Sequence, residues 1–186
     1  MLKALLDRFA IRPFERAFSY DASYMRALLA ARPASFLKFS VLSGMVERRD
    51  APAEALAAAG VVATLREDCG PCTQIGVDMA AKAGVPAAVL KAILVGDEAA
   101  MGETAALGYR FARAALRRDM IAADPARDEI VSRWGKAALV DISLAITTAR
   151  LYPTVKYALG HGRACSRITV AGETTAVRRA PEPLAA

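Results

Sequence analysis

The 186-residue chain holds one histidine, one tryptophan and three cysteines, and aromatic residues make up 6% of it. One histidine excludes any metal site built on several imidazoles. It also makes a Ser-His-Asp triad depend on His161 alone, and no nucleophile elbow surrounds any serine. Three cysteines are too few for the disulfide framework of a small secreted domain. Long apolar runs are missing too. The longest, Ala55 to Leu65, is too short to span a bilayer, and Asp141 and Arg150 interrupt the other one, Ala137 to Tyr152. No transmembrane segment is expected. Asp7 breaks the N-terminus before an apolar h-region develops, and no small-residue cleavage site follows, so no signal peptide is expected. The expected location is therefore cytoplasmic, a reducing compartment where structural disulfides are rare.

The formal charge of +6 comes without a basic run. Arginines stand singly or in pairs (Arg48-Arg49, Arg117-Arg118, Arg178-Arg179), with no aromatics interleaved and no nucleic-acid motif. The charge reads as a solvated helical surface, with neither nucleic acid nor membrane expected as a partner. Gly70 and Gly76 do not make a phosphate loop, since no strand and no Lys-Ser/Thr signature accompany them. Trp134 and Tyr152 fall within helical stripes and are expected in the core.

What the chain has in abundance is alanine and helical periodicity. Hydrophobic residues are 55% of the total, much of it alanine, which gives up no side-chain entropy in a helix. Leu2, Leu5, Leu6 and Phe9 form one stripe. Met25, Leu28 and Leu29 form another after a cap at Asp21, and Leu37, Val41 and Met45 a third after Pro33. The charged run 47–50 and Pro52 mark a boundary. Three helices are expected next: one from Pro52 through Leu65, one opening at Gly70-Pro71, and one from Pro86 to Gly96. The first is apolar almost all round and therefore central. Two longer helices follow, about 103–119 and 136–150, bridged by Asp124-Pro125, and Pro153 ends or kinks the last. Only Arg167 to Val170 hints at a strand. The expected fold class is all-α: a helical bundle with an N-terminal helical extension (1–50), a core domain bearing a CxxC (51–165) and a C-terminal tail (166–186), disordered or lying across a partner subunit.

Within Arg66-Glu67-Asp68-Cys69-Gly70-Pro71-Cys72-Thr73-Gln74, two thiols stand three residues apart at a helix start. Residues i and i+3 share a helical face, so the sulfurs can meet. The unpaired amides and dipole of a helix N-terminus favour thiolate, the nucleophilic form. Glu67 and Asp68 oppose this, because nearby negative charge disfavours thiolate. A carboxylate there is useful if it shuttles the proton, a role assigned to Glu67, with Asp68 the weaker candidate. Three readings stay open for Cys69 and Cys72: redox work, metal binding, or two small apolar side chains packed at a helix start. The metal reading adds His161 and Cys165, giving Cys-x2-Cys…His-x3-Cys, four ligands in zinc-like spacing. The plainer reading of that second half is an exposed loop histidine and a partly buried cysteine.

The larger pattern is a core helix leading into a CxxC that opens a second helix, then Val77 to Pro86 and a short helix ending Ile93-Leu94-Val95-Gly96. It resembles the alkylhydroperoxidase D/carboxymuconolactone decarboxylase-like superfamily over Pro52 to Gly96. The resemblance is weaker at Gly108-Tyr109-Arg110-Phe111-Ala112 and from Leu139 to Tyr152. It implies an all-α, oligomeric protein whose CxxC reduces peroxides or exchanges disulfides, recharged by a dithiol reductant and needing no cofactor. Peroxidase members have a His four residues after the second Cys, where this chain has Gly76. They also have a Glu about a dozen residues before the first Cys, where it has Ala57 and Ala58. Glu67 is the available replacement. A homo-oligomer with the dithiol near a subunit contact is expected, because helices 55–65 and 137–149 are apolar over more circumference than a small bundle covers.

Overall fold

A computed structural model describes residues 2–162 and 167–177. The described residues are mostly helical, with one two-stranded hairpin among them. At its centre lies α5 (Ala53–Arg66), with buried residues on every side, as its all-round apolar sequence requires. Around it pack α6 (Gly70–Lys82), α7 (Ala87–Val95), α8 (Glu98–Arg117) and α9 (Met120–Ala158). Small residues let these helices approach closely. A Cβ added at Gly108 of α8 would stand 2.4 Å from the carbonyl oxygen of Ala55, so backbone meets backbone there and only glycine fits.

The ends of these helices follow local rules. Pro71 lies in the first turn of α6 and Pro86 is the N-cap of α7, positions where a missing amide hydrogen costs no helical bond. Gly96 ends α7 in the left-handed conformation. Asp97 and Asp119 cap α8 and α9 by accepting from the amides of Ala100 and Ala122. Two glycines bend the long helices: Gly102 (φ 74°) separates one turn from the rest of α8, and Gly135 (φ 85°) breaks α9 into 120–134 and 136–158.

The segment between the helices expected over 103–119 and 136–150, read as a bridge with a cap at Asp124, is helical over 120–134, and its cap is Asp119, five residues earlier. Pro153 does not end α9, which runs on to Ala158 because the turn after it is packed on two sides (see below). Two of the N-terminal stripes face outward, with Leu2, Leu5, Phe9, Leu37, Val41 and Met45 exposed, whereas the third turns inward, with Leu29 buried and Met25 and Leu28 packed beside it. The strand hinted at over Arg167 to Val170 is present, and the tail carries a second one over Glu173–Ala176. There β1 (Arg167–Val170) and β2 (Glu173–Ala176) pair antiparallel through Ala171-Gly172, both at positive φ as a tight two-residue hairpin turn demands. Ile168 and Val170 alternate inward into the main core, which fixes the strand. Gln74 of α6 bonds both the amide (2.8 Å) and the carbonyl (2.9 Å) of Thr169.

The N-terminal extension comprises α1 (Leu2–Leu6), a π-helical turn (Asp7–Ile11), α2 (Arg12–Phe18), α3 (Ser23–Ala31) and α4 (Pro33–Ser40). It builds a second, aromatic cluster: Ile11, Tyr20, Tyr24, Leu29 and Phe36 buried, with Leu6, Phe14, Phe18 and Phe39 against them. Rings have more area to bury than the leucines beside them, and burial scales with area. That is why 36 and 39, not 37 and 41, face inward. The extension touches the rest through Ile75 of α6 and Val155 of α9, both in its cluster. The Phe39 ring also meets Tyr152 at 4.8 Å.

Candidate functional site

The sequence around the dithiol folds as its residue types dictate. α5 ends at Arg66, and Asp68 takes the left-handed conformation (φ 50°) that reverses the chain. Cys69 is the N-cap of α6, and Cys72 lies on its first turn. Their Cα atoms are 5.2 Å apart and their sulfurs are joined in a disulfide. The carbonyl of Cys69 accepts from both the amide (2.9 Å) and the hydroxyl (3.0 Å) of Thr73, which ties the N-cap into the helix. Neither cysteine is open to solvent: Cys69 is 1% exposed and Cys72 is 8%. A reagent approaching from outside therefore meets Cys72 first.

The two carboxylates flanking the dithiol differ in setting. Glu67 accepts from Arg150 Nε at 2.5 Å. Asp68 offers its backbone carbonyl to the hydroxyl of Tyr157 at 2.6 Å. Burial pushes the Tyr157 phenol up from its ordinary pKa, and the negative charges of Asp68 and Glu67 add to the effect. Arg150 and Tyr157 escaped the sequence reading, which took Arg150 only as a charge interrupting an apolar run. A usable signal was present: seven residues span two helical turns, so the two side chains share one face of α9.

The family positions for a relay offer none here. Ala57 and Ala58 are buried in α5, and at Gly76 an added Cβ would merely touch Val61 at 3.8 Å. His161, the other half of the zinc-like pattern, is placed at the far end of α9. Its Nδ1 lies 2.9 Å from the Ser23 hydroxyl, which also donates to Asp21 at 3.2 Å. Cys165 lies outside the described residues. Cysteines joined to each other have no thiolate to give a metal, and among the described residues no group of three or more His, Cys, Asp or Glu could hold one. Trp134 packs against the main core and Tyr152 against Phe39.

Two buried charges lie away from the dithiol. Lys156 packs its ammonium 5.0 Å from the centre of the Tyr20 ring; burial lowers its pKa and the charge of Asp21 partly restores it. Asp141 accepts from the amide of Glu47 at 3.3 Å, while its second oxygen is buried without a partner. Among the described residues no helix is long and apolar enough to cross a membrane.

Comparison with protein-family models, with curated proteins and with solved structures gives no match.

Proposed function

We propose that this protein is a thiol–disulfide oxidoreductase of the alkylhydroperoxidase D-like type, working through Cys69 and Cys72. The observation that carries the reading is the disulfide formed by two cysteines at the start of α6. Helix position favours the thiolate after reduction, and the exposures make Cys72 the attacking group and Cys69 the resolving one. With a hydroperoxide, the Cys72 thiolate attacks the peroxide oxygen. The O–O bond breaks, a proton is taken up, and an alcohol and a Cys72 sulfenic acid result. Cys69 then displaces water to close the disulfide. With a small disulfide, Cys72 forms a mixed disulfide and expels one thiol, and Cys69 expels the second. Either cycle needs an external dithiol to reopen Cys69–Cys72. Glu67, held by Arg150, shuttles the proton in place of the missing histidine, and Asp68 is the secondary candidate. The low exposure of both sulfurs restricts the substrate to small molecules unless the neighbouring elements move.

The expected assembly is a homo-oligomer in the cytoplasm. The catalytically silent scaffold is the competing reading, and the burial of the dithiol favours it. Turnover decides between them. With a dithiol reductant in excess, the wild-type chain consumes an organic hydroperoxide or a small disulfide, and Cys72→Ser abolishes this. Glu67→Gln lowers the rate by about 100-fold, the low end for a proton-transfer group. A wild type that turns over neither substrate overturns the proposal, and a Glu67→Gln variant at full rate removes Glu67 from it.

A further inference from the structure

The end of α9 grips the two residues that precede Cys69. Arg150 holds the side chain of Glu67, and Tyr157 holds the backbone carbonyl of Asp68. The second grip falls on the residue that reverses the chain: Asp68 sits in the left-handed region at φ 50°, which short polar side chains such as aspartate adopt more readily than most. The ring of Tyr157, a residue 37% exposed, is covered on one side. A Cβ at Gly162 would stand 1.9 Å from its Cδ1 atom, so the loop after α9 lies flat against the ring. The amides of Gly160 and His161 donate back to the carbonyls of Tyr157 and Lys156 at 2.9 and 3.0 Å. The adjoining residues, Val155, Lys156 and His161, meet the N-terminal extension at Tyr20 and Ser23.

The geometry points to Tyr157 as a positioning residue for the dithiol: its hydroxyl, on the Asp68 carbonyl, keeps Cys69 beside Cys72 when the disulfide is open. This rests on the reading of the two cysteines as a redox pair. Reduction by two molecules of glutathione breaks the S–S bond, gives each sulfur a proton and an electron, and yields one glutathione disulfide. How far that equilibrium runs depends on the effective concentration of each thiol at the other. A turn held in place raises that concentration, so the disulfide re-forms more readily and resists reduction. The hydroxyl bonds a backbone atom, so Tyr157 acts through Cys69 and touches no substrate.

Equilibration of the full-length wild type, Tyr157→Phe and Gly162→Ala in glutathione buffers tests this, with the open and closed dithiol separated after acid quenching. Tyr157→Phe removes one oxygen and leaves the packed ring. It should make the disulfide about fivefold easier to reduce, the factor a single hydrogen bond carries. Gly162→Ala displaces the ring without removing the hydroxyl and should shift the equilibrium in the same direction. Tyr109→Phe, in α8, should leave it unchanged. The difference in denaturation midpoint between oxidised and reduced protein should shrink in Tyr157→Phe. A purely structural tyrosine would weaken both forms equally and leave the glutathione equilibrium where it was. A reversible wild type with an identical Tyr157→Phe equilibrium overturns the inference while the redox reading survives. A wild type with no reversible disulfide overturns both.

Discussion

At the scale of single residues, the most constrained positions in this chain are small. Gly108 has no room for a methyl group, since the obstruction is the Ala55 backbone and not a side chain that can turn away. Gly108→Ala should therefore destabilise by about 1–3 kcal/mol, the range for overpacking. Urea unfolding should show the midpoint drop, and an unchanged midpoint would mean that α5 and α8 slide apart freely. The dithiol was legible in the sequence down to its place on the first turn of a helix, because Pro71 and the i, i+3 spacing determine both. Its partners were not. Arg150 and Tyr157 lie more than eighty positions away, and nothing local in a helical stripe says which turn of it will meet a distant loop. Glu67 was legible as a candidate from its neighbours; its pairing with Arg150 was not.

Elements fared unevenly for a physical reason. Helices α5, α6 and α7 begin and end where proline, glycine and the apolar pattern place them, since each is bounded by residues with strong local preferences. In α4 another face turned inward, because Phe36 and Phe39 outcompete Leu37 and Val41 for the shared cluster, whereas α3 keeps its Met25, Leu28 and Leu29 stripe inward. The hairpin was missed over 173–176: the inward side chains, Ile168 and Val170, lie on β1, and the Glu-Thr-Thr-Ala of β2 has no apolar alternation to stand out. The extension also carries a charge network. Arg26 binds Asp7 at 2.7 Å and Glu15 at 2.5 Å, and Arg12 binds Asp7 at 2.8 Å. The Arg12 and Arg26 hydrogen bonds lower the Asp7 pKa, and the Arg26 hydrogen bond lowers that of Glu15. Carboxylates with lowered folded-state pKa values stabilise above their ordinary 3.8 and 4.5, and that contribution is lost as pH falls through the lowered values. The near-ultraviolet dichroism of the Tyr20–Tyr24 cluster should therefore weaken below about pH 4. Arg26→Ala should lack this acid step, and the same step in the variant would assign it to other groups.

For the whole molecule, one chain covers most of α5, leaving Gly60 and Leu65 partly buried, so the apolar circumference of that helix argues little for an oligomer. The remaining argument lies on the surface, where Val140, Met120 and Ile121 of α9 are exposed, as are Leu2, Leu5 and Phe9 at the N-terminus. Sedimentation equilibrium at micromolar concentration should give a multiple of 19.7 kDa, and a mass near that value contradicts self-association. The all-α class was legible because alanine content and 3.6-residue periodicity persist along almost the whole chain. Which distant turns meet was not, since packing at long sequence separation leaves no local trace. The account as a whole depends on Cys69 and Cys72 cycling between thiols and a disulfide. The direct measurement is alkylation of the fully reduced chain before and after exposure to hydroperoxide or an oxidised dithiol, with mass spectrometry of the tryptic peptide spanning 67–82. The account predicts that both cysteines of that peptide are alkylated at first, resist alkylation together after oxidation, and return when a dithiol is added. A peptide whose cysteines stay alkylated after oxidant, or are lost irreversibly, would contradict it.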